Sequence, residues 1–348
     1  MQHRTIFLGL SGGVDSAVSA ALLQRRGERV VGVFLESWSE SLAPAACEQT
    51  ADRRDAARVA AHLHLPFLVL PCAELYRERV LAFFLHELRA GRTPNPDVEC
   101  NASIKFEVFR DVSRAAGADA IATGHYARVE KKSGRVVLKK GVDPSKDQSY
   151  FLSRVAPSAL SDAEFPVGGL RKNAVRTLAK SLRLPNAAKP DSQGLCFVGK
   201  IALPQFLRHF FAPTPGPIQT ADGQRIGEHT GLSQFTIGQR RGTHVATGAP
   251  TYVVAKHVQA NTLVVSSRAT DLERSQVQAD SWRWFGDPIS TGLTAKLRYR
   301  QPDQAVTSIA VRGARADVRF ARPQRAVTPG QVLVVYEGDR LAGSGILV

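Results

Sequence analysis

Cysteine is scarce in this chain of 348 residues, with four in all, Cys47, Cys72, Cys100 and Cys196. No two form a CxxC pair, so neither a zinc ribbon nor a thiolate-held iron–sulfur cluster is expected, and the scatter is not that of a secreted disulfide framework. Long apolar runs are also missing. None reaches the roughly 18 residues that a membrane helix needs. Residues 1–4 lead straight into an apolar run with no secretory signal before it, so a cytoplasmic protein is expected. Internal repeats and low-complexity tracts are absent. Acidic residues are fewer than basic ones, 31 against 46, for a net charge of +15 and a pI of about 10.1. Such a balance suits a polyanionic partner, because cations that neutralise phosphates release counterions. Cations spread over solvated faces would produce the same number.

The chain is organised around SGGVDS at 11–16. An apolar run over 5–10 predicts a buried strand before it. Val14, Ala17, Val18, Ala21 and Leu22 predict one face of a helix after it. A strand, a Gly-Gly bend and a helix N-terminus make an anion site, since the first amides of a helix lack intrahelical partners and the dipole favours negative charge there. Glycine lets backbone approach phosphate closely. The two serine hydroxyls can add donors, and Asp15 is placed to help hold a metal ion on the phosphates. The stretch is neither GxxxxGK[ST] nor GxGxxG. The plainer alternative is an ordinary glycine-rich turn.

Further strands are predicted over 29–35, 66–70 and 119–123, and helices over 48–63, 74–89 and 103–116. This alternation predicts βαβ units and a doubly wound parallel sheet, with ligands beyond the carboxyl ends of its strands. Leu35 and Gly124 fall at that edge. A hairpin is expected over 128–140, a helix over 171–184 and a short helix over 203–211. From residue 213 onward, short alternating runs separated by Gly, Pro and Asp predict small β-barrels, the last closing by itself. The expected division is a nucleotide-binding domain over 1–200 with a hairpin-bearing extension after about 128, a central β-rich domain over 201–274, and a C-terminal barrel over 275–348.

Four stretches carry candidate chemistry. TPNPDVECN at 93–101 has two prolines, which predict an extended loop. A carboxylate and a thiol on a rigid loop suit acid–base and nucleophilic work; a braced connection with a half-buried cysteine is the alternative. KPDSQGLCF at 189–197 presents Cys196 after a turn, or buries it as a structural thiol. TGHYAR at 123–128 places Gly124 where a nucleoside could lie against the backbone, while His125 could simply cap or pack. KDQSYFL at 146–152 either meets a phosphate backbone or forms a charged turn.

Together these stretches, with GLSQFTIGQRRG at 231–242 and LRYRQ at 297–301, resemble one family, the tRNA-specific 2-thiouridylases of the MnmA type within the PP-loop, HUP-like ATP pyrophosphatases. The pieces lie in the family's order and span almost the whole chain. The resemblance implies ATP-dependent adenylation of O2 of the wobble uridine in Lys-, Glu- and Gln-type tRNAs, then sulfur transfer from a cysteine persulfide. It implies that Gly9, Leu10, Ser11, Gly12, Gly13, Val14, Asp15 and Ser16 hold ATP, with Leu35 and Gly124 against the nucleoside and Mg²⁺ carried by the nucleotide. Asn95, Pro96 and Asp97 would contact the target base, Asp97 as a possible proton acceptor. Cys100 would be the nucleophile and Cys196 the persulfide carrier. His125, Lys146, Asp147, Gln148, Arg298, Tyr299 and Gln331 would touch tRNA, and a desulfurase or relay protein would deliver sulfur. Glu99 and Gln193 are assigned no role. Two carboxylates beside a thiol disfavour its thiolate, so an offset from a helix N-terminus, Lys105 or magnesium is expected. Another PP-loop adenylating enzyme would share the first loop but needs neither Cys100 nor Cys196.

Overall fold

The computed structural model describes residues 3–37, 48–132, 134–191, 203–243, 245 and 248–348. The chain forms two units: one of Met1–Leu81, Pro96–Lys200 and Asp339–Leu341, the other of Ala82–Asn95, Ile201–Gly338 and Ala342–Val348.

The first unit holds strands β1 (Thr5–Gly9), β2 (Arg29–Glu36), β3 (Phe67–Pro71), β4 (Ala120–Ala122), β5 (Ala127–Lys132), β6 (Arg135–Lys140) and β7 (Ala163–Glu164). Five form a sheet in the order β3-β2-β1-β4-β7, every pairing in it parallel. Parallel strands need crossovers, and helices α1 (Val14–Arg25) and α2 (Glu48–His62) supply the first two. The apolar runs legible in the sequence are the central strands because both sheet faces are covered. Ile6 and Leu8 are fully buried, packed in a cluster with Val18 and Leu23 of α1 and Val59 of α2. Each such side chain contributes about 1.5–3 kcal/mol. β5 and β6 form the expected hairpin. The two-residue β7 has no periodic signal of its own and was not foreseen.

The proline-rich stretch departs from expectation. Pro96 does not extend a loop; it opens a helix over Pro96–Cys100, continued by wider π turns over Asn101–Val108 and by α-helix over Phe109–Ala115. Proline suits a first helical position, where its missing N–H is not needed and its φ is already helical. Cys100 therefore sits in a helix, not on a loop. Wider turns also interrupt the preceding helical run, at Arg77–Leu81.

The second unit holds two β assemblies. Strands β8 (Gly216–Thr220), β9 (Arg225–His229), β10 (Tyr252–His257) and β11 (Thr262–Ser266) form a sheet in the order β10-β11-β8-β9. Ile218, Phe235, Val253, Leu263 and Val265 make its core. Among the described residues this sheet shows no closing pair. The helix foreseen over 203–211 is shorter, Leu203–Leu207. Strands β12 (Glu273–Trp284), β13 (Leu293–Lys296), β14 (Gln304–Arg312), β15 (Arg315–Arg325), β16 (Val332–Glu337) and β17 (Arg340–Leu347) follow. They pair as β12-β15-β14-β13-β16-β17, and β12 pairs again with β17, closing a six-stranded barrel. Closure removes exposed edges. Trp282, Ala295, Val318, Leu333 and Val335 fill it. No helix among the described residues is long and apolar enough to cross a membrane.

Candidate active site

The bend at 11–16 lies at the carboxyl edge of the parallel sheet, between β1 and α1. Gly13 is the N-cap of α1 and no side chain caps the helix, which leaves the amides of its first turn open to an anion. Gly12 has φ +76°, and a Cβ there would lie 2.3 Å from the Asp52 carbonyl oxygen. Glycine is required on both counts. The hydroxyls are less available than expected. Ser16 Oγ donates to the Gly13 carbonyl (3.0 Å) and lies 3.2 Å from Ser11 Oγ, which accepts the Gly13 N–H at 3.4 Å. Gly9 ends the strand and Leu10 follows it, and Leu10 and Val14 are buried in the core.

Asp15 faces two donors that no local pattern announced. Lys172 Nζ, from the first residue of the helix Lys172–Ser181, reaches both carboxylate oxygens at 2.7 and 2.8 Å. The Tyr126 hydroxyl donates to Oδ1 at 2.7 Å. Burial and then this carboxylate push the Tyr126 phenol far above its ordinary range. Lys172 also bonds Asp191 at 2.8 Å, which in turn binds Lys146 at 2.7 Å and Arg176. Burial raises the Asp191 carboxyl, but Lys146 and Lys172 more than offset it and hold it well below the usual range. Among the described residues no group of three His, Cys, Asp or Glu side chains could hold a metal.

Gly124 lies two residues past the end of β4, against α1. A Cβ there would lie 2.7 Å from the Ser16 amide nitrogen, so close helix–strand packing already accounts for this glycine. Leu35 is half-buried at the end of β2. His125 is buried, with Phe106 and Phe165 each 5.9 Å from its ring and the Thr123 hydroxyl 2.7 Å from Nδ1. This burial suits the packing role that the sequence left open. Burial, with Lys105 adding, holds it well below the ordinary value of 6.5, so it is neutral when folded. The unfolded chain takes up a proton near 6.5, the folded chain only much lower. The stability His125 contributes is complete above 6.5 and is lost as pH falls through the folded value. His229 is shifted the same way, chiefly by burial. The melting temperature is expected to drop between about pH 7.5 and pH 5.5, and His125→Gln to flatten part of that slope. An unchanged slope in melting curves of that variant would assign the loss elsewhere.

Asp97 and Cys100 share the turn Pro96–Cys100, and Cys100 is 5 % exposed. Burial pushes the Asp97 carboxyl above its usual range, and Lys105 pulls it only partly back. Glu99 lies where its charge acts on Arg154. Cys196 lies outside the described residues, so its distance from Cys100 is not part of this geometry.

Of the residues expected to meet tRNA, Asp147 is turned inward, accepting the Gly141 and Ser149 N–H groups at 3.1 and 3.0 Å. Gln148 Oε1 accepts the Tyr126 N–H at 3.0 Å. In the second unit, exposed Arg298 donates to the carbonyls of Arg325 and Ala326, and Tyr299 is half-buried. Gln331 Nε2 donates to the Thr93 carbonyl at 2.7 Å, two residues before Asn95.

A parallel sheet whose first strand bends through Gly-Gly into a helix N-terminus that no side chain caps defines an α/β domain. Residues 4–200 match the family model described as tRNA methyl transferase HUP domain. Residues 204–267 match its PRC-barrel domain, and 274–347 an aminomethyltransferase beta-barrel domain. A tRNA-specific 2-thiouridylase MnmA of Geobacillus kaustophilus is 42% identical over 359 residues, covering 100% of this chain and 96% of the relative. One of Geobacillus thermodenitrificans is 41% identical, covering 99% and 95%. The chain belongs to the family of the MnmA-type tRNA-specific 2-thiouridylases. Among solved structures, a 4-thiouridine synthetase–RNA complex with bound ATP is similar with 20% identity and a TM-score of 0.35, over 59% of this chain and 49% of that one. An NMN synthetase from Francisella tularensis has 17% identity and a TM-score of 0.34, over 56% and 68%.

Proposed function

We propose that this protein is a tRNA-uridine 2-sulfurtransferase: ATP adenylates O2 of the wobble uridine, and a cysteine persulfide replaces that oxygen with sulfur. The observation that carries the reading is the uncapped Gly-Gly bend, with Gly12 confined by Asp52, in a chain related to the 2-thiouridylases over its full length. On this reading residues 9–16 cradle the phosphates, with Leu35 and Gly124 lining the nucleoside side. The uridine O2 attacks the α-phosphorus and pyrophosphate departs. Asp15 would help hold a Mg²⁺ carried by the nucleotide, which would neutralise charge on the departing pyrophosphate, and Lys172 and Tyr126 already engage that carboxylate. Asn95 and Pro96 meet the base. Asp97, with its carboxyl held above the usual range, is a stronger proton acceptor than an exposed aspartate.

Sulfur arrives on Cys196 as a persulfide from a desulfurase or a relay protein. Either the outer sulfur attacks C2, AMP leaves with the former O2, and the Cys100 thiolate then attacks Cys196 Sγ to cleave the S–S bond and free the thiocarbonyl, or the Cys100 thiolate first displaces the outer sulfur as hydrosulfide, which attacks C2 as AMP leaves. In both routes Cys100 and Cys196 end as a disulfide, and a reductant must reopen it. On this reading the domain over 1–200 carries out the chemistry, with His125, Lys146, Asp147 and Gln148 in its tRNA-contacting stretches, that over 201–274 is an adaptor, and that over 275–348 binds tRNA through Arg298, Tyr299 and Gln331. The site of action is the cytoplasm, on Lys-, Glu- and Gln-type tRNAs.

Nucleoside mass spectrometry of tRNA from cells with and without the gene tests the reading. Loss of 2-thiouridine is expected. Loss of a methylated nucleoside instead would favour the chemistry in the family model's description. Binding to tRNA is expected to weaken steeply with salt, since neutralising about six phosphates costs roughly a thousandfold in affinity between about 50 and 200 mM. A flat titration would show that the net charge of +15 is not an RNA footprint.

A further inference from the structure

The segment after the helix Lys172–Ser181 meets the phosphate loop and its neighbours at three points. Asn186 Nδ2 donates to the Gly12 carbonyl at 2.9 Å. Lys189 Nζ binds Asp52 and Asp55 of α2, both at 2.6 Å. Asp191 holds Lys172, whose ammonium holds Asp15. Burial lowers the Lys189 ammonium, but the two carboxylates more than offset this and leave it raised. We propose that Asn186 is a positioning residue for the ATP step, its carboxamide orienting the Gly12–Gly13 peptide so that the Gly13 N–H faces the nucleotide. The proposal rests on the reading of residues 9–16 as the ATP cradle.

The geometry follows from one peptide plane. A trans peptide sets its C=O and the following N–H on opposite sides, and no peptide bond among the described residues is cis. With the Gly12 carbonyl drawn inward to Asn186, which is 5 % exposed, the Gly13 N–H points away. It meets only Ser11 Oγ, at 3.4 Å, a long contact that a phosphate oxygen can displace. Gly12 is also pressed against the Asp52 carbonyl, and Lys189 ties Asp52 to the same segment. The peptide is therefore fixed from two sides before any nucleotide binds, the preorganisation a phosphate cradle needs.

The Asn186 amide shows which of its atoms matters. A carbonyl only accepts, so the NH₂ end must face Gly12 and Oδ1 must face away. Among the described residues the buried Oδ1 has no hydrogen-bond partner. An unsatisfied buried acceptor is unfavourable, and an aliphatic side chain of similar size would avoid it. What the aliphatic residue would lack is the donor to Gly12.

The test measures tRNA-dependent AMP formation against ATP concentration for the wild type, Asn186→Ala and Asn186→Asp, with tRNA affinity in parallel. Asn186→Ala is expected to raise KM for ATP about tenfold, the effect of one lost buried hydrogen bond, with tRNA affinity unchanged. Asn186→Asp is nearly isosteric but sets a carboxylate oxygen against the Gly12 carbonyl. Its KM for ATP is expected to be at least as impaired near neutral pH and to recover relative to the wild type as pH falls, because a protonated carboxyl can donate again. A merely structural role would show no such rescue. Wild-type KM values in both variants, or an Asn186→Asp defect that ignores pH, would overturn the proposal. If Asn186→Asp fails to fold, Asn186→Ala and calorimetric ATP binding carry the same test. No AMP formation by the wild type would instead defeat the underlying reading of the site.

Discussion

Cys100→Ser is expected to abolish 2-thiouridine formation while tRNA binding and ATP-dependent activation continue. The side chain is 5 % exposed on the turn Pro96–Cys100, and serine is close to it in size, so the fold should tolerate the change. The chemistry should not. Persulfide exchange needs a sulfur nucleophile that ionises near neutral pH and that can end in a disulfide; a serine hydroxyl does neither. The two carboxylates beside this position each have a cation close enough to interact, Lys105 for Asp97 and Arg154 for Glu99. The local field is thus less negative than the string DVEC suggests. Cys196→Ser is expected to match it, whereas Cys72→Ser should leave sulfur insertion intact, since burial pushes the Cys72 thiol up to about 12. The measurement is nucleoside analysis of tRNA treated with each purified variant, beside AMP release in the same tubes. Normal thiolation by either Cys100→Ser or Cys196→Ser removes the two-cysteine scheme, and loss of AMP release by Cys100→Ser would move that residue into the activation step.

Features decided by neighbouring residues were legible in the sequence. The apolar runs became central parallel strands, and SGGVDS became a strand-to-helix bend, because burial on both faces and a Gly-Gly turn leave a local signature. Pro96 was misread because proline is equally at home in extended chain and at the first position of a helix, and only packing decides between them. The contacts that shape the site were not legible at all. Lys172 stands 157 residues from Asp15, and Asn186 174 residues from Gly12. Neither sits in a distinctive local pattern; the topology of the sheet and the helix Lys172–Ser181 brings them together. His125 and Asp147 show the converse. Their motifs were visible, but whether a polar side chain faces RNA or the interior depends on what packs above it, here Phe106 and Phe165 for His125 and the turn amides of Gly141 and Ser149 for Asp147.

Gly12→Ala is expected to cut tRNA-dependent AMP formation by at least about a hundredfold, the scale on which an ångström of misplacement acts. Two penalties coincide. The φ of +76° costs an L-residue about 1–2 kcal/mol. The new Cβ would also stand 2.3 Å from the Asp52 carbonyl oxygen and 3.0 Å from its carbon, and these are backbone atoms of α2 that cannot rotate aside. Either α2 retreats, straining the Lys189 pairs with Asp52 and Asp55, or the bend shifts and the Gly12 carbonyl leaves Asn186. Both movements turn the Gly13 N–H away from the phosphates. Gly13→Ala is the control. Its φ is −81°, and its added Cβ meets only the Ser11 hydroxyl at 3.3 Å, a side-chain atom that can give way more easily than backbone. Melting curves should show Gly13→Ala near the wild type and Gly12→Ala lower, with tRNA affinity kept by both. An active Gly12→Ala enzyme with normal KM for ATP would mean that phosphates do not lie on this bend. A folded but inactive Gly13→Ala enzyme would mean that they approach it closely enough to exclude a methyl group.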